Sequence, residues 1–358
     1  MGTMTRFDDA ALLSDRFRQH AAVCSSPLYA ALMTAMADDW DAGGPVRAVC
    51  AGWEHAQPGS VVQLRLLAGL HRVVLRGEAP ALAAYYRNVG GTLAPEDAWP
   101  VAQTVIADHV DELRDGLALA PQTNEVGRAA ALAVGLADAV WRTGTGRVRL
   151  LEVGASAGLN LLVDRYAVRL DDGRVLGDEA SPLLLDGAHG PVEPASFELV
   201  ERRGCDLSPV DAGAPEGATL LSSYVWPDHA HRFERLQTAL AIARTDPPRV
   251  EAASAGEWLE QVLAERPDDD VLTVVWQSIT RMYWPAEELA RVQAALDQAG
   301  RRLPRLAHVA MEYGAAEAGA QLTVDVWRGG APDGARTLVA GVHDHGLPVT
   351  LHDGVRVG

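Results

Sequence analysis

The sequence contains no lysine, so all 31 basic residues are arginine. Together with heavy use of alanine, glycine and valine, this indicates a GC-rich coding bias and not a functional signal. The 48 acidic residues outnumber the basic ones, giving a formal charge of −17 and a sequence pI near 5.0. A chain this acidic repels phosphate backbones unless it carries a concentrated basic face. The arginine clusters at 202–203 and 301–305 are too small to form one, so we expect a small-molecule substrate and no nucleic acid.

Cysteine is also scarce. Cys24, Cys50 and Cys205 are far apart and show no C-x-x-C spacing, which argues against a disulfide framework or a zinc site and favours reduced thiols. Residues 1–9 lack the apolar core of a secretory signal. No apolar run approaches the roughly 18–20 residues that a membrane span needs. We therefore expect a soluble cytoplasmic protein with no membrane partner.

Residues 1–145 are predicted to form a helical cap domain. Apolar residues recur there at three- and four-residue intervals, and glycine and proline mark the turns. The predicted helices are 7–22, 27–39, 61–75, 80–88, 100–117 and 124–142.

From 146 to 358 the pattern changes to compact apolar runs alternating with helical segments, which predicts βαβ units and a mostly parallel sheet. The predicted strands are 147–153, 197–205, 219–225, 249–252, 271–276, 306–311, 321–327 and 337–343. The predicted helices between them are 159–166, 229–243, 255–264 and 286–299. Only a turn, 329–334, separates the last two strands, so we expect an antiparallel pair at the end of the sheet.

The most informative segment is the glycine-rich turn in Leu151–Asn160, between a buried strand and a helix start. Such a turn lets backbone approach a ligand closely. It departs from the dinucleotide fingerprint G-x-G-x-x-G, because Ser156 stands at the second glycine.

The same turn, Gly154-Ala-Ser156-Ala-Gly158, matches the G-x-S-x-G nucleophile elbow of serine hydrolases. In that interpretation Ser156 is the nucleophile, and Asp325 with one of His343, His345 or His352 completes the order Ser, Asp, His. An elbow normally follows several strands and an upstream oxyanion-hole motif such as HGGG, however. Here the upstream sequence is helical and contains no such motif.

The turn also resembles the first motif of class I S-adenosylmethionine-dependent methyltransferases. Glu152, Gly154, Ser156 and Gly158 match its acidic residue and spaced glycines, with serine at the middle glycine. The resemblance implies a Rossmann-like sheet and S-adenosylmethionine as cofactor, held by these residues with Ala155 and Asn160. A second acidic motif residue, which takes the ribose hydroxyls, matches Asp206 in Asp-Leu-Ser-Pro. The alternative for Asp206 is a turn or helix-capping aspartate.

Two departures from the methyltransferase pattern are visible. Glu152 and Asp206 lie 54 residues apart, whereas the family spacing is about 20, so 167–195 is predicted to be an inserted hairpin or loop. The position that is often acidic after the third strand falls near Ser254.

Several phrases together resemble an uncharacterised bacterial family of methyltransferase-like proteins, classed as a domain of unknown function. The resemblance covers nearly the whole chain, including the helical front, and implies a fold without an agreed reaction. The phrases are 123–128, 150–160, 201–206, 223–228 and 274–284.

Candidate substrate-side residues follow the predicted strands, because ligands of open α/β sheets lie beyond the strands' carboxyl ends. Gln277 and Tyr283 are the candidate catalytic residues, and Ser278 is a candidate substrate ligand. The alternative is that the aromatic residues there are core and that Gln277 is a hydrogen-bonded strand-end amide.

Further candidate substrate ligands come from two other segments, namely Asn124, Glu125 and Arg128 before the first strand, and Tyr224 and Trp226 in an aromatic loop. A solvent-exposed capping arrangement explains the first three about as well. The three C-terminal histidines match no metal-ligand spacing and are predicted to be surface residues, so no metal site is expected.

These observations predict a small-molecule methyltransferase with a helical cap. The sequence is compatible with a protein partner or a homo-oligomer. One alternative keeps the fold without the cofactor and performs a displacement, cyclisation or elimination on a metabolite, because fold does not determine function. The serine hydrolase is a third, separate class.

Overall fold

The computed structural model describes residues 12–193, 195–314, 319–334 and 337–356. The described chain divides into two compact units. Of the described residues, those in 12–123 and 215–237 form the helical unit, and those in 124–214 and 238–356 form the sheet unit. The predicted boundary at 145/146 differs from this division, because the last predicted helix of the cap packs against the sheet and a later segment joins the helical unit.

The helical unit is built from short helices around a continuous apolar core. They are α1 (Leu13–Ala21), α2 (Pro27–Asp41), α3 (Pro45–Val49), α4 (Val62–Leu75), α5 (Pro80–Ala83), α6 (Trp99–Asp108), α7 (Val110–Gly116) and α9 (Pro215–Ser223).

Local sequence explains why α2 begins where it does. Ser26 caps it by accepting a hydrogen bond from the amide of Tyr29, and Pro27 occupies the first turn, where no amide donor is needed. Leu28, Leu32 and Met36 then recur on one buried face.

Segment 219–225 was predicted as a strand, and this prediction is wrong. It lies at the end of α9, in the helical unit. A short run of apolar and β-branched residues is compatible with either element, and here packing against α4 selects the helix.

The sheet unit contains a twelve-stranded mixed sheet. Its strands are β1 (Arg147–Val153), β2 (Ala167–Leu170), β3 (Val175–Gly177), β4 (Leu184–His189), β5 (Glu198–Asp206), β6 (Val250–Ala252), β7 (Val271–Ser278), β8 (Arg305–Tyr313), β9 (Ala320–Arg328), β10 (Ala331–Pro332), β11 (Thr337–Val342) and β12 (Val349–Arg356). The spatial order is β3-β2-β4-β12-β11-β9-β8-β7-β1-β5-β6, with β10 paired to β9.

Five adjacent strands, β6-β5-β1-β7-β8, are parallel, as the alternation of strands and helices predicted. The last two predicted strands, β9 and β11, are antiparallel as expected, and β9 also runs antiparallel to β8. They do not end the sheet, however, because β12, β4, β2 and β3 continue beyond β11. All eight residues of β7 are buried, which is the pattern of a parallel strand covered on both faces.

Helices cover both faces of this parallel region. They are α8 (Ala129–Thr143), α11 (Ala255–Val262) and α12 (Ala286–Arg302), while α10 (Ala230–Thr245) continues from one unit into the other. Gly135 of α8 packs on Val309 of β8, and Gly300 of α12 packs on Trp327, the register partner of Leu306. Because side chains 306 and 309 point to opposite faces of one strand, α8 and α12 lie on opposite sides of the sheet.

The predicted insertion at 167–195 is not a detached loop. It supplies β2, β3 and β4, which extend the sheet beyond β12. The first two form the predicted hairpin, while β4 and β12 are strands that the sequence pattern did not indicate.

Candidate functional site

The strand order reverses at β1, which lies between β5 and β7. In open α/β sheets the crevice outside the carboxyl ends at such a reversal is where ligands bind. Three segments leave the sheet there: the glycine-rich turn 154–158 after β1, residues 206–208 after β5, and residues 278–281 after β7. The candidate site is therefore built from these carboxyl-end loops.

The turn after β1 needs its glycines for the fold itself. Gly154 and Gly158 both adopt positive φ, at 68° and 73°. A side chain at 154 would lie 2.4 Å from Thr280, and one at 158 would lie 2.8 Å from Val250. Ser156, at the middle position, also has positive φ, 54°, which costs a non-glycine residue free energy.

Asp206 faces this turn. Its Oδ2 accepts a hydrogen bond of 2.9 Å from the amide of Ser156, and its Oδ1 accepts one of 2.9 Å from the amide of Ser208. The contact with Ser208 is typical of a turn aspartate, which was the alternative interpretation of Asp206. Asp206 therefore both shapes its own turn and faces the glycine-rich turn. A carboxylate has about four acceptor positions, and these two bonds leave further ones for a ligand hydroxyl.

Glu152, Asn160 and Trp276 form a buried polar group beneath the turn, each at most 2% exposed. Burial raises the pKa of Glu152 to about 8, and the charge of Asp206 acts in the same direction. Asn160, Trp276 and the charge of Arg128 oppose the shift. Glu152 Oε2 and Asn160 Oδ1 have no hydrogen-bond partner within the described chain. Buried polar atoms of this kind are rare in folded proteins and require an explanation.

Gln277, a predicted catalytic residue, lies in a polar chain across β7, β8 and β9. Its Nε2 donates to Glu312 Oε1 at 2.8 Å, and its Oε1 lies 3.0 Å from His308 Nε2. Asp325 Oδ2 is 3.8 Å from the other nitrogen of His308. Both ends of the Gln277 amide are thus engaged, which matches the alternative of a hydrogen-bonded strand-end residue.

Glu312 is the site residue that sequence analysis missed. Its Oε1 accepts from the amides of Thr280 at 3.1 Å and Arg281 at 3.2 Å, as well as from Gln277. Glu312, on β8, therefore fixes the main chain of the loop that follows β7. The available signal was that His308 and Glu312 interrupt an otherwise apolar strand.

Ile279 in this loop also has positive φ, 50°. The side chain of Ser278 is buried, whereas Tyr283 is 75% exposed. Tyr283 is therefore available to a ligand but is not fixed in a pocket wall.

Asn124, Glu125 and Arg128 belong to the sheet unit. Asn124 Oδ1 accepts from the amide of Leu159, directly after the glycine-rich turn. Glu125 accepts from the amide of Gly127 and lies 3.3 Å from His345.

Arg128 is partly buried and donates to the carbonyls of Ser278 at 3.0 Å and Asp344 at 3.2 Å. Desolvation lowers its pKa, partly offset by the nearby charge of Glu125. Asn124 and Arg128 therefore connect the start of α8 to the loops after β1 and β7.

Tyr224 and Trp226 lie in the helical unit. Tyr224 is buried there, and Trp226 stacks on His229 with ring centroids 5.4 Å apart. Both are explained by packing within that unit. Asp228, shortly before α10, receives hydrogen bonds from Ser26 and the amide of Leu28.

One cluster of metal-ligand residue types occurs in the described chain, formed by Glu78, His109 and Glu112 in the helical unit. Arg76 pairs with both of these glutamates. Its guanidinium offsets one of their two negative charges.

Comparison with known proteins assigns most of the chain to one family. Residues 14–350 match the model of a family described as "uncharacterized protein conserved in bacteria (DUF2332)". The chain belongs to this family. Membership in DUF2332 confirms the predicted domain of unknown function, and it supplies no reaction. Searches among curated proteins and among solved structures found no match. Within the described part of this DUF2332 protein, no helix combines the length and apolar character that crossing a bilayer requires.

Proposed function

We propose that this protein is a methyltransferase that binds S-adenosylmethionine at the carboxyl edge of β1, β5 and β7 and acts on a small molecule. The observation that carries the proposal is that Asp206, at the end of β5, faces the glycine-rich turn after β1. This pairing of a turn with a carboxylate on the adjacent strand is how Rossmann-like sheets hold an adenosine ribose.

The residues present fit such a cofactor. Asp206 retains acceptor positions for ribose hydroxyls, and Glu152 and Asn160 offer buried oxygens without partners near the turn. When bound, the cofactor supplies an activated methyl group. The chain's own contribution is then to orient the acceptor and exclude water, because methyl transfer needs positioning more than covalent catalysis.

The candidate acceptor side consists of the loop after β7 with Tyr283, and of Arg128. Gln277 and Glu312 act as positioning residues for that loop. Ser278 contributes its carbonyl to Arg128, which fixes the guanidinium beside the loop.

Calorimetric titration with S-adenosylmethionine and S-adenosylhomocysteine tests the cofactor. Wild type should bind both, and Asp206→Ala should weaken binding by roughly tenfold or more through loss of charge-assisted hydrogen bonds. Asp115→Ala, at an exposed position of α7, is the matched control and should bind as wild type. Absence of binding by wild type would favour the cofactor-free alternative, in which the fold performs non-methyl chemistry.

A second readout concerns the proton on Glu152. A ligand ammonium group near this carboxyl lowers its pKa, so binding at neutral pH should release up to one proton. Repeating the titration in buffers with different ionisation enthalpies measures this release. Glu152→Gln should abolish it, and an unchanged release in that variant would place the ammonium group elsewhere.

The serine-hydrolase alternative is favoured by one observation, the positive φ of Ser156 in a G-x-S-x-G turn after a central strand. Its proposed acid Asp325, however, lies beside His308 and β8. Ser156→Gly separates the two functions. Glycine suits the φ of this position and keeps the amide that donates to Asp206, so cofactor binding should persist. Labelling of wild type by a fluorophosphonate, lost in Ser156→Gly, would instead establish the hydrolase.

A further inference from the structure

A cavity of about 640 Å³ lies within the sheet unit, on the flank of α8. Its walls come from α8, the segment 191–193 after β4, the end of β9, and β11 with β12. This volume is in the range of sites that enclose small molecules.

The cavity is separate from the candidate active site. It includes Trp141 and Arg142 at the end of α8, shortly before β1 begins at Arg147. It also includes Arg328, which lies opposite Arg305, the first residue of β8, in the register of β9 on β8. These positions mark the amino ends of the parallel strands, whereas the glycine-rich turn lies at the carboxyl end of β1. A seven-residue strand spans about 20 Å, so one small ligand does not reach both places.

The cations of the cavity wall are already engaged. Arg142 donates to the carbonyls of Val324 and Asp333, at 3.3 and 3.0 Å, and to the Thr337 hydroxyl at 3.2 Å. Arg328 pairs with the Asp333 carboxylate at 3.3 Å. Arg142 also lies 3.5 Å from Asp138 Oδ2, so each guanidinium already has a carboxylate partner in the wall.

The acidic groups are less well satisfied. Asp138 Oδ2 is buried and lies 3.5 Å from Arg142, but it has no hydrogen-bond partner among the described residues. Burial raises the pKa of Asp138. The charge and hydrogen bonding of Arg142 oppose this effect, and the charge of Glu193 adds to it. Glu193 itself is exposed on the cavity wall and forms no ion pair within the described chain. The wall therefore presents negative charge in excess of its available positive charge.

Trp141 gives the cavity an aromatic surface. It is 53% exposed, so part of its indole is accessible to a ligand. An indole face attracts cations, most strongly where water is partly excluded. Val192, Leu338 and Leu351 supply apolar wall around it.

We propose that this cavity binds a small organic cation, with Asp138 as counter-ion and the indole of Trp141 as a cation–π surface. A positively charged ligand adds a second cationic partner to Asp138 Oδ2, whose contact with Arg142 is long at 3.5 Å. It also relieves the repulsion between Asp138 and Glu193. The size of the cavity suits an alkyl ammonium, diamine or guanidinium compound.

Titration calorimetry with putrescine, choline and agmatine tests this proposal. Because the whole chain carries a charge of −17, non-specific attraction must be screened, and about 150 mM NaCl shortens the Debye length to about 8 Å. At least one probe should bind with 1:1 stoichiometry and a Kd below about 1 mM. Asp138→Asn should weaken that binding roughly tenfold, and Trp141→Ala several-fold.

Two controls separate this site from charge effects and from the proposed active site. Asp115→Asn removes an exposed carboxylate of the helical unit and should leave probe binding unchanged. Glu152→Gln should also leave it unchanged, so failure of either proposal does not affect the other. Trp141→Ala changes a half-exposed side chain and keeps the test valid if Asp138→Asn folds poorly. The proposal is overturned if no probe saturates, or if wild type, Asp138→Asn and Trp141→Ala bind equally.

Discussion

Replacing Glu152 by glutamine should stabilise the sheet unit at neutral and alkaline pH. The carboxyl group is 2% exposed, and burial raises its pKa from 4.5 to about 8. The folded protein therefore holds this proton more tightly than the unfolded chain does. Stability from this group is fully present below pH 4.5 and is lost as the pH rises through about 8.

The magnitude follows from the two pKa values. A tenfold difference in proton affinity corresponds to about 1.4 kcal/mol. The difference between 4.5 and about 8 thus amounts to roughly 5 kcal/mol above pH 8, and to roughly 3 kcal/mol at pH 7. Glutamine has nearly the same shape and does not titrate, so Glu152→Gln should recover much of this free energy and remove most of the pH dependence.

Hydrogen exchange of peptides from β1 and β7 is the appropriate assay, because the two compact units need not unfold together. Wild type, Glu152→Gln and the exposed control Glu179→Gln are compared at pH 5, 7 and 9, after correction for intrinsic exchange. The control accounts for removing one negative charge from an acidic chain. If wild type and Glu152→Gln show parallel pH dependences, the buried carboxyl is already ionised and the reasoning fails.

Three further changes test other parts of the structure. Burial lowers the pKa of His71 to about 4, whereas the imidazole of the unfolded chain takes up a proton near pH 6.5. Wild type should therefore lose roughly 3 kcal/mol of helical-unit stability, measured by urea denaturation, as the pH falls from 6.5 to about 4. His71→Gln should flatten this pH dependence. Gly158→Ala should cost roughly 2–4 kcal/mol, since positive φ combines with a contact of 2.8 Å to Val250, whereas Gly144→Ala, with positive φ and open space, should cost about 1 kcal/mol by the same measurement. Glu312→Ala should cost roughly 2–4 kcal/mol and speed hydrogen exchange in 278–283, because it removes the acceptor of two loop amides; unchanged exchange there would exclude its positioning role.

Local pattern was sufficient for much of the fold. Residues 147–153 form a strand with the predicted bounds, and 61–75 and 286–299 form helices within a few residues of the prediction. Each has a clear apolar run or helical period, so neighbouring residues alone determine its type.

Long-range assembly was not predictable in the same way. Segment 215–237 joins the helical unit although 91 residues of the sheet unit, 124–214, precede it in the chain. Likewise β4 lies beside β12 at the far side of the sheet, a pairing between segments far apart in sequence. Such pairings depend on register and tertiary packing, which local periodicity does not encode.

In the candidate site too, some residues were predictable from local sequence and others were not. Glu152, Gly154, Ser156 and Gly158 are contiguous, so one motif identified the turn, and structure brings Asp206 to it. The hydrogen-bonded side chains of Gln277, Glu312 and His308 come from two strands. Only the register of β7 on β8 brings them together. A motif search along the sequence has no access to that register.

Backbone strain gives a reason to regard the carboxyl edge as functional. Three non-glycine residues of the described chain have positive φ, and two of them, Ser156 and Ile279, lie in the loops after β1 and β7. In each loop a carboxylate from the next strand accepts main-chain amides, Asp206 at the first and Glu312 at the second. Strained residues persist where surrounding contacts hold them, and such positions concentrate at ligand sites. In both loops beside the strand reversal, hydrogen bonds from main-chain amides to a carboxylate thus hold a strained backbone conformation. A preorganised binding site requires loops that are fixed in this way.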